Sequence, residues 1–190
     1  MAQDDLVRIA ILDAAKRIFQ RWGLNKSTME DIAREAVKGK STLYYYFKTK
    51  EELFDAVVTE AFNAVLQTAR DAAEREFSAK DKLKRYIVVT IKESKEMIGL
   101  YTIVRDEVKR NHNFLDKLRQ KFTEMEKAYI RQILTLGLRT KELAFISEDE
   151  ITMATATILG VIHALELYLL LENDDTQQID MAARMIINGI

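Results

Sequence analysis

Proline is absent from this chain of 190 residues, and glycine occurs only 6 times. These two residues interrupt helices more often than any others, so a chain with so few of them favours long helices over a β-rich fold. Hydrophobic residues make up 48% of the sequence, which is enough to build a packed core. We therefore predict an all-α protein.

Charge is distributed unevenly along the chain, although the net charge is only −1. Residues 1–50 carry 10 Lys and Arg against 6 Asp and Glu, whereas residues 142–190 carry 1 against 9. This asymmetry indicates an anionic partner at the N-terminal part only. Cysteine is absent, which excludes disulfide bonds and thiolate metal sites. The first residues lack the apolar segment of a secretion signal, so we expect a cytoplasmic protein.

Three helices are predicted in the first fifty residues. Ile11, Ile18 and Trp22 belong to the apolar stripe of a helix over roughly residues 5–22, which Gly23 ends as a C-cap glycine would. The capping-box pattern Ser27-Thr28-Met29-Glu30 then opens a short helix. A third short helix follows the turn at Gly39. The last two are placed at about 28–36 and 40–47.

A larger helical region follows these three helices. A second capping box, Thr49-Lys50-Glu51-Glu52, opens a long helix, and a third, Ser147-Glu148-Asp149-Glu150, opens the penultimate one. The helices are placed at about 50–75, 79–95, 97–110, 113–139, 147–171 and 177–188. We therefore predict an N-terminal domain of residues 1–49 and a C-terminal domain of residues 50–190.

The third helix raises the functional question, because residues 38–50 read KGKSTLYYYFKTK. Successive residues of a helix are about 100° apart, so Leu43, Tyr46 and Phe47 share one face and Tyr45 lies roughly opposite. Ser41, Thr42 and Lys48 flank that outer side. Such a face suits a helix in a DNA major groove, with lysines on phosphates and Tyr45 or Thr42 on base edges. A surface helix with a solvated tyrosine is the alternative.

These residues carry a family resemblance. Residues 8–54 resemble the helix-turn-helix DNA-binding domain of the TetR (tetracycline-repressor-like) family of transcriptional regulators. The matching residues are Ile11-Leu12, Ala14-Ala15, Ile18-Phe19, Gly23, Thr28, Ile32-Ala33, Ala36, Thr42-Leu43-Tyr44-Tyr45-Tyr46-Phe47, Lys50-Glu51 and Leu53. The resemblance implies a homodimer whose third helices enter double-stranded operator DNA, and whose C-terminal domain binds a small-molecule effector that releases the DNA.

The resemblance also implies which residues contact DNA. They are Thr28, Lys40, Ser41, Thr42, Tyr44, Tyr45, Tyr46, Lys48 and Lys50. Thr28 would cap the second helix near a phosphate, and Lys50 lies in the first turn of the long helix, whose amides favour an anion. The chain departs from the family pattern in the turn, where Val37-Lys38 replaces Gly-Val. This leaves the aim of the third helix open.

The C-terminal domain supplies two further predictions. Residues 151–171 contain one charged residue, Glu166, but acidic flanks and interspersed polar residues argue against a membrane span. We expect this helix and the last one to form a dimer interface, and a purely intramolecular core is the alternative. The interface residues would be Ile151, Thr155, Ile158, Leu159, Ile162, His163, Leu169, Ile179, Ala183 and Ile186. Candidate lining of an effector pocket is Phe62, Leu66, Tyr86, Met97, Tyr101, Phe122, Met125 and Tyr129.

Enzymatic function is not expected. His163 and Glu166 could share a helix face, but one such pair does not make a di-iron site, and no phosphate-binding loop or catalytic motif is present. We therefore predict no metal and no cofactor. The sequence predicts a ligand-responsive transcriptional regulator, with repression as the expected mode, that binds a palindromic operator as a homodimer. The alternative is an all-helical ligand-binding or interaction protein that does not read DNA.

Overall fold

The computed structural model describes residues 3–100, 117, 119–143, 146–172, 181 and 184. All regular secondary structure within these ranges is helical, as predicted. We number the α-helices in chain order. They are α1 Gln3–Lys26, α2 Met29–Glu35, α3 Lys40–Tyr46, α4 Lys50–Glu74, α5 Ala79–Leu100, α6 Thr123–Arg139 and α7 Ile151–Glu172.

The predicted ends of the first helices are largely confirmed. Gly23 interrupts α1 with φ 81° and ψ 166°, a conformation that glycine alone adopts without strain. Trp22, which we placed on the buried stripe, is 42% exposed, so that stripe ends earlier. Thr28 caps α2, as the family resemblance implies, and lies within the predicted capping pattern that starts at Ser27. The third short helix, α3, begins after Gly39 as predicted.

The N-terminal helices share one apolar cluster with α4. Phe19 of α1 and Phe54 of α4 pack edge to face with ring centroids 5.3 Å apart, and Leu43 of α3 is fully buried beside them. The same cluster continues along α4 to Phe62 and Leu66 and includes Met97 and Phe122. The core therefore runs without a break past the predicted domain boundary at residue 49, which stays a prediction.

A second apolar cluster lies between α5, α6 and α7, which we call the body. Its aliphatic members on these helices include Leu83, Ile87 and Ile91 of α5, Ile130, Ile133 and Leu134 of α6, and Ile158, Leu159 and Ile162 of α7. Ser147 and Glu150 form the predicted capping box, and a short 3-10 turn, Glu148–Glu150, leads into α7. The stretch Glu148–Tyr168 is long and apolar enough to cross a membrane, and one side of it packs on α5 and α6.

Two predicted helix boundaries in the body are wrong. α5 is continuous to Leu100, whereas we predicted a break near residue 96, where no proline or glycine forces one. α6 begins only at Thr123, because Lys121 and Phe122 form a turn inside the helix that we predicted over 113–139. Most of the predicted helices over 97–110 and 177–188 lies outside the described residues, of which Met181 and Arg184 are helical.

Candidate functional site

The third helix turns its apolar side inward and leaves Tyr45 outside. Leu43 is 0% and Phe47 is 3% exposed, whereas Tyr45 is 69% exposed. Of the flanking residues, Ser41 is exposed and Thr42 is partly buried. This is the orientation that the helical periodicity predicts, and it leaves hydroxyl groups and one aromatic ring available to a partner.

The two tyrosines beside Tyr45 are anchored to the unit formed by α1, α2 and α3, which we call the head. Tyr44 and Tyr46 are both partly buried against the first apolar cluster. The hydroxyl of Tyr46 donates a hydrogen bond to Asp4 of α1, and this bond raises the pKa of Tyr46 to about 12. The Tyr46 ring also packs edge to face on Tyr45, with centroids 5.1 Å apart. Tyr46 therefore positions the exposed ring.

The predicted DNA-contacting lysines all have partners within the protein. Lys40 pairs with Glu30 of α2, which raises the pKa of Lys40 and lowers that of Glu30. Lys48 Nζ donates to the carbonyl oxygen of Tyr44 at 3.0 Å, and Lys50 Nζ donates to that of Ser27 at 3.1 Å. An ammonium has three donors, so Lys48 and Lys50 are oriented by these bonds while keeping donors for a phosphate.

The Thr28 side chain caps the N-terminus of α2. Its Oγ1 accepts a hydrogen bond from the backbone N–H of Asp31 at 3.1 Å and donates to the Asp31 carboxylate at 2.6 Å. The side chain is exposed, so it lies at the surface where a backbone phosphate could approach the helix N-terminus.

The turn between α2 and α3 is built in an unusual way. Val37 N–H bonds to the carbonyl of Arg34 at 3.1 Å, and Lys38 N–H bonds to that of Ala33 at 2.9 Å, which is the Schellman pattern of a helix end. Val37 takes the left-handed position with φ 53°, where glycine is customary. It is 86% exposed, so packing does not offset the strain of a branched side chain there.

The predicted pocket residues form packed core rather than one open site. The tilted rings of Phe62 and Phe122 have centroids 4.8 Å apart in the first cluster, and those of Tyr86 and Tyr129 have centroids 5.0 Å apart in the second. The other buried members are Leu66 and Met97. Met125 is 38% exposed, and its place in a pocket lining stays a prediction. Tyr101 lies outside the described residues.

Five of the predicted interface residues of α7 face the wrong way. Ile158, Leu159 and Ile162 are buried in the second apolar cluster, and Ile151 and Thr155 are buried as well. The burial of these five residues within the protomer corrects their assignment to the interface. His163 is only partly buried, with its ring toward Glu126 of α6, and its place in the interface stays a prediction. The exposed face of α7 consists instead of Met153, Ala156, Thr157, Gly160, Ala164 and Tyr168. The Leu169 side chain, Ile179, Ala183 and Ile186 lie outside the described residues.

A buried polar cluster, formed by Ser94, Arg119, Glu126, His163 and Glu166, lies inside the body. Glu166 accepts hydrogen bonds from Ser94 Oγ at 2.8 Å and from the Arg119 guanidinium at 3.3 Å. The same guanidinium donates to the His163 carbonyl at 2.9 Å. Burial raises the pKa of Glu166, and the positive charge of Arg119 opposes that rise.

Sequence reasoning noticed only part of this cluster. It paired His163 with Glu166 but missed Ser94, Arg119 and Glu126. A usable signal for Ser94 was present, because Tyr86, Thr90 and Ser94 recur every four residues on the apolar side of α5. Within the described ranges, no group of three or more His, Cys, Asp or Glu could hold a metal ion.

Comparison with known proteins identifies the family of the N-terminal DNA-binding domain. The model of the N-terminal domain of bacterial regulatory proteins of the tetR family matches residues 11–57, which include α2, α3 and the start of α4. The chain is 27% identical over 130 residues to the uncharacterised transcriptional regulator YhgD of Bacillus subtilis, covering 68% of each protein.

Two further relatives extend the match over most of the chain. The fatty acid metabolism regulator protein of Bacillus subtilis is 29% identical over 158 residues, covering 80% of this chain and 77% of that protein. The crystal structure of a transcriptional regulator from Cytophaga hutchinsonii is 25% identical with a TM-score of 0.71, covering 95% of this chain and 96% of that one. With its exposed α3 and all-helical body, this chain therefore carries the DNA-binding domain of the tetR family and is a ligand-responsive, DNA-binding transcriptional regulator.

Proposed function

We propose that this regulator is a cytoplasmic repressor that binds a palindromic operator as a homodimer and is released by a small molecule in its helical body. The observation that carries the DNA-binding part is the exposure of Tyr45, 69%, on a helix whose opposite side is buried. A helix presented in this way can enter a major groove without rearranging the core.

In this proposal each residue of the head has a role set by its position. Tyr45 and Thr42 lie against base edges, where a ring or methyl group can contact thymine methyls and a hydroxyl can reach base atoms. Lys48 and Lys50 contact phosphates through the ammonium N–H groups that are not used in their bonds to the protein backbone. Lys40 reaches DNA only by exchanging Glu30 for a phosphate, so we expect it to contribute least.

Dimerisation is proposed through the exposed face of α7. Met153 and Tyr168 are 66% and 47% exposed, and small residues lie between them. A Cβ added at Gly160 would meet no atom within 4 Å, so the protomer leaves room there for a second helix to approach closely. Two copies related by a twofold axis would place two α3 helices on the half-sites of one palindrome.

Effector binding would act through α4, which begins beside α3 and ends in the body. The effector must favour a conformation in which the two α3 helices no longer match successive major grooves. The name of the Bacillus subtilis relative makes fatty acyl compounds one class to test, although that name describes that protein.

Selection of bound DNA from a random library tests the DNA-binding proposal. We expect an inverted repeat, with affinity that falls steeply with salt, by a log–log slope of about −0.9 for each phosphate neutralised. Lys48→Ala should reduce that slope by about 1, whereas Tyr45→Ala should cost about 1–3 kcal/mol at particular bases. Lys80→Ala, at an exposed lysine of the body, is the matched control and should change neither.

The same experiment decides the alternative. Weak binding to every member of the pool, with a salt slope that Lys48→Ala does not alter, would point to an all-helical ligand-binding protein that does not read DNA. The strained turn at Val37 is the observation that favours that alternative.

A further inference from the structure

The turn between α2 and α3 presents two neighbouring side chains to solvent. Val37 and Lys38 directly precede Gly39, the N-cap of α3, and both are exposed. Their backbone N–H groups make the Schellman hydrogen bonds that end α2. We call this pair of residues the exposed turn.

Each residue of the exposed turn departs from what stability favours at its position. The first position is left-handed, with φ 53°, and usually holds glycine, whereas here it holds the β-branched Val37. The second position of a Schellman motif often carries an apolar side chain that packs back on the helix. Here it carries Lys38, although Ile32 and Ala33, on which an apolar residue would pack, belong to the apolar cluster.

Packing within the head offsets neither departure, because both side chains are exposed. A segment that keeps backbone strain and gives up a packing contact is expected where it contacts a partner. The exposed turn therefore indicates a contact that forms outside the protomer.

The ammonium of Lys38 differs from the other cationic groups of this region. In residues 28–50, all of which the structure describes, the other four Lys and Arg side chains each form an ion pair or donate to a backbone carbonyl. They are Arg34, Lys40, Lys48 and Lys50. No hydrogen bond or ion pair joins the Lys38 side chain to a described residue. Its three N–H donors are therefore available to an anion.

The place of Lys38 in the chain brings this ammonium beside DNA in the proposed complex. A helix-turn-helix protein inserts the N-terminal residues of its second helix into the major groove, so the preceding turn meets the edge of the groove. Phosphates of the DNA backbone form that edge, and they attract lysine without regard to base sequence. Lys38 lies two residues before the first residue of α3 and would meet a phosphate there.

We propose that Lys38 is a further DNA-contacting residue, that it binds a backbone phosphate at the edge of the major groove, and that it contributes more to operator affinity than Lys40. Lys40 must exchange Glu30 for a phosphate, whereas Lys38 has no such partner among the described residues. The inference rests on the proposed function, because it adds a contact to the same DNA interface. The strained turn then serves DNA binding rather than opposing it.

Removing and retaining the charge at residue 38 tests the contact. Each variant is titrated by fluorescence anisotropy, at several salt concentrations, with a duplex carrying the inverted repeat selected from the random library and with a duplex of unrelated sequence. Lys38→Gln should weaken binding to both duplexes by roughly threefold or more and reduce the log–log salt slope by about 0.9 for each protomer bound. Lys38→Arg keeps the charge and should retain most of the affinity. A slope that Lys38→Gln leaves unchanged would overturn the proposal.

Two further lysines complete the comparison. Lys40→Gln should reduce the salt slope less than Lys38→Gln does, because the ion pair with Glu30 competes with the phosphate. A larger reduction for Lys40→Gln would overturn the proposed order of the two residues. Lys80→Gln, at an exposed lysine of α5, is the matched control and should change neither affinity nor slope.

Lys38→Val separates a contact with DNA from a role in folding. Valine supplies the apolar side chain that the Schellman motif favours at this position, so the midpoint of thermal unfolding should rise or stay the same. The variant should still weaken binding to both duplexes as Lys38→Gln does, because it also lacks the charge. A lower unfolding midpoint in both variants, together with weaker binding, would show that Lys38 supports the fold and would sink the proposal.

The parent protein keeps this test separate from the proposed function. If the parent binds the selected duplex with a steep salt slope and Lys38→Gln has an equal slope, only the Lys38 contact is rejected. If the parent binds neither duplex, the proposed DNA-binding function is rejected and this contact with it.

Discussion

The ammonium of Lys121 lies 2.6 Å from each carboxylate oxygen of Asp55, and so joins the turn before α6 to the second turn of α4. Arg119, two residues earlier, bonds to Glu166 in the buried polar cluster. The short segment from Arg119 to Phe122 therefore contacts both the interior of the body and the helix that begins beside α3. We infer that it carries an effector-induced displacement to the head.

Breaking this link should uncouple effector binding from DNA release. Both side chains are substantially exposed, so Lys121→Met should lower the free energy of unfolding by only about 0.2–1 kcal/mol. The fold-change in operator affinity caused by a saturating effector should nevertheless shrink. Lys127→Met, which breaks a similar pair with Glu124 inside α6, is the control. Equal responses of the two variants in a fluorescence-anisotropy titration would show that the link is passive.

Val37→Gly should stabilise the protein. The left-handed conformation costs an ordinary L-residue about 1–2 kcal/mol, and glycine avoids that cost while losing some chain entropy. We expect a net gain of about 1 kcal/mol in the free energy of unfolding, measured by urea denaturation. Val37→Ala keeps the left-handed strain without the branch and should gain less. No gain for glycine would mean that the turn relaxes in solution.

Gly160→Leu should weaken the dimer without unfolding the protomer. The position faces open space, and leucine favours a helix over glycine by about 0.8 kcal/mol. In the proposed dimer the added side chain would separate two closely packed helices. We expect the dissociation constant to rise at least tenfold by analytical ultracentrifugation. Ala128→Leu, at an exposed position of α6, is the control; equal effects of both variants would move the interface off this face.

Gly137→Ala should do the opposite and damage the protomer. An added Cβ would lie 2.4 Å from Leu143 Cδ1 and 3.1 Å from the Cβ of Ala79. Overpacking of this kind costs typically about 1–3 kcal/mol, which outweighs the helix propensity of alanine. Thermal unfolding should show a lower midpoint for Gly137→Ala and an unchanged or higher one for Gly160→Ala. The reverse order would contradict the packing described for α6.

Asp4→Asn should lower the pKa of Tyr46 from about 12 toward 10.0, because the carboxylate that accepts the phenol proton is gone. Since the pKa in the folded state is raised, the stabilising contribution of this contact is present below pH 10 and is lost as the pH rises through about 12. Ultraviolet difference titration, with Tyr46→Phe to assign the signal, measures this. Asp13→Asn, elsewhere on α1, should leave the curve unchanged.

The head was predictable because its signals are local. Capping residues begin α2 and α4, a glycine ends the regular part of α1, and 100° periodicity fixes which side of α3 contains Leu43. The unusual turn at Val37 was visible only as a departure from a pattern. Its left-handed conformation and its Schellman hydrogen bonds required coordinates.

The body was less predictable because its apolar side chains could pack either within the protomer or against a second copy. α7 is apolar on nearly every side, so periodicity could not tell which side faces the protomer, and Ile158 was assigned to the interface although it is buried. Arg119 and Glu166 meet across 47 residues of sequence, a contact that no local pattern encodes.

The apolar cluster shared by the head and α4 sets where this chain can be cut and rejoined. A chimeric sensor that grafts this head onto a foreign body at residue 49 would discard Phe54, whose ring packs on Phe19. It would also expose an apolar surface that favours aggregation. A junction placed after Leu66 would keep the part of the cluster that α4 contributes, so the grafted DNA-binding unit would retain its own apolar core.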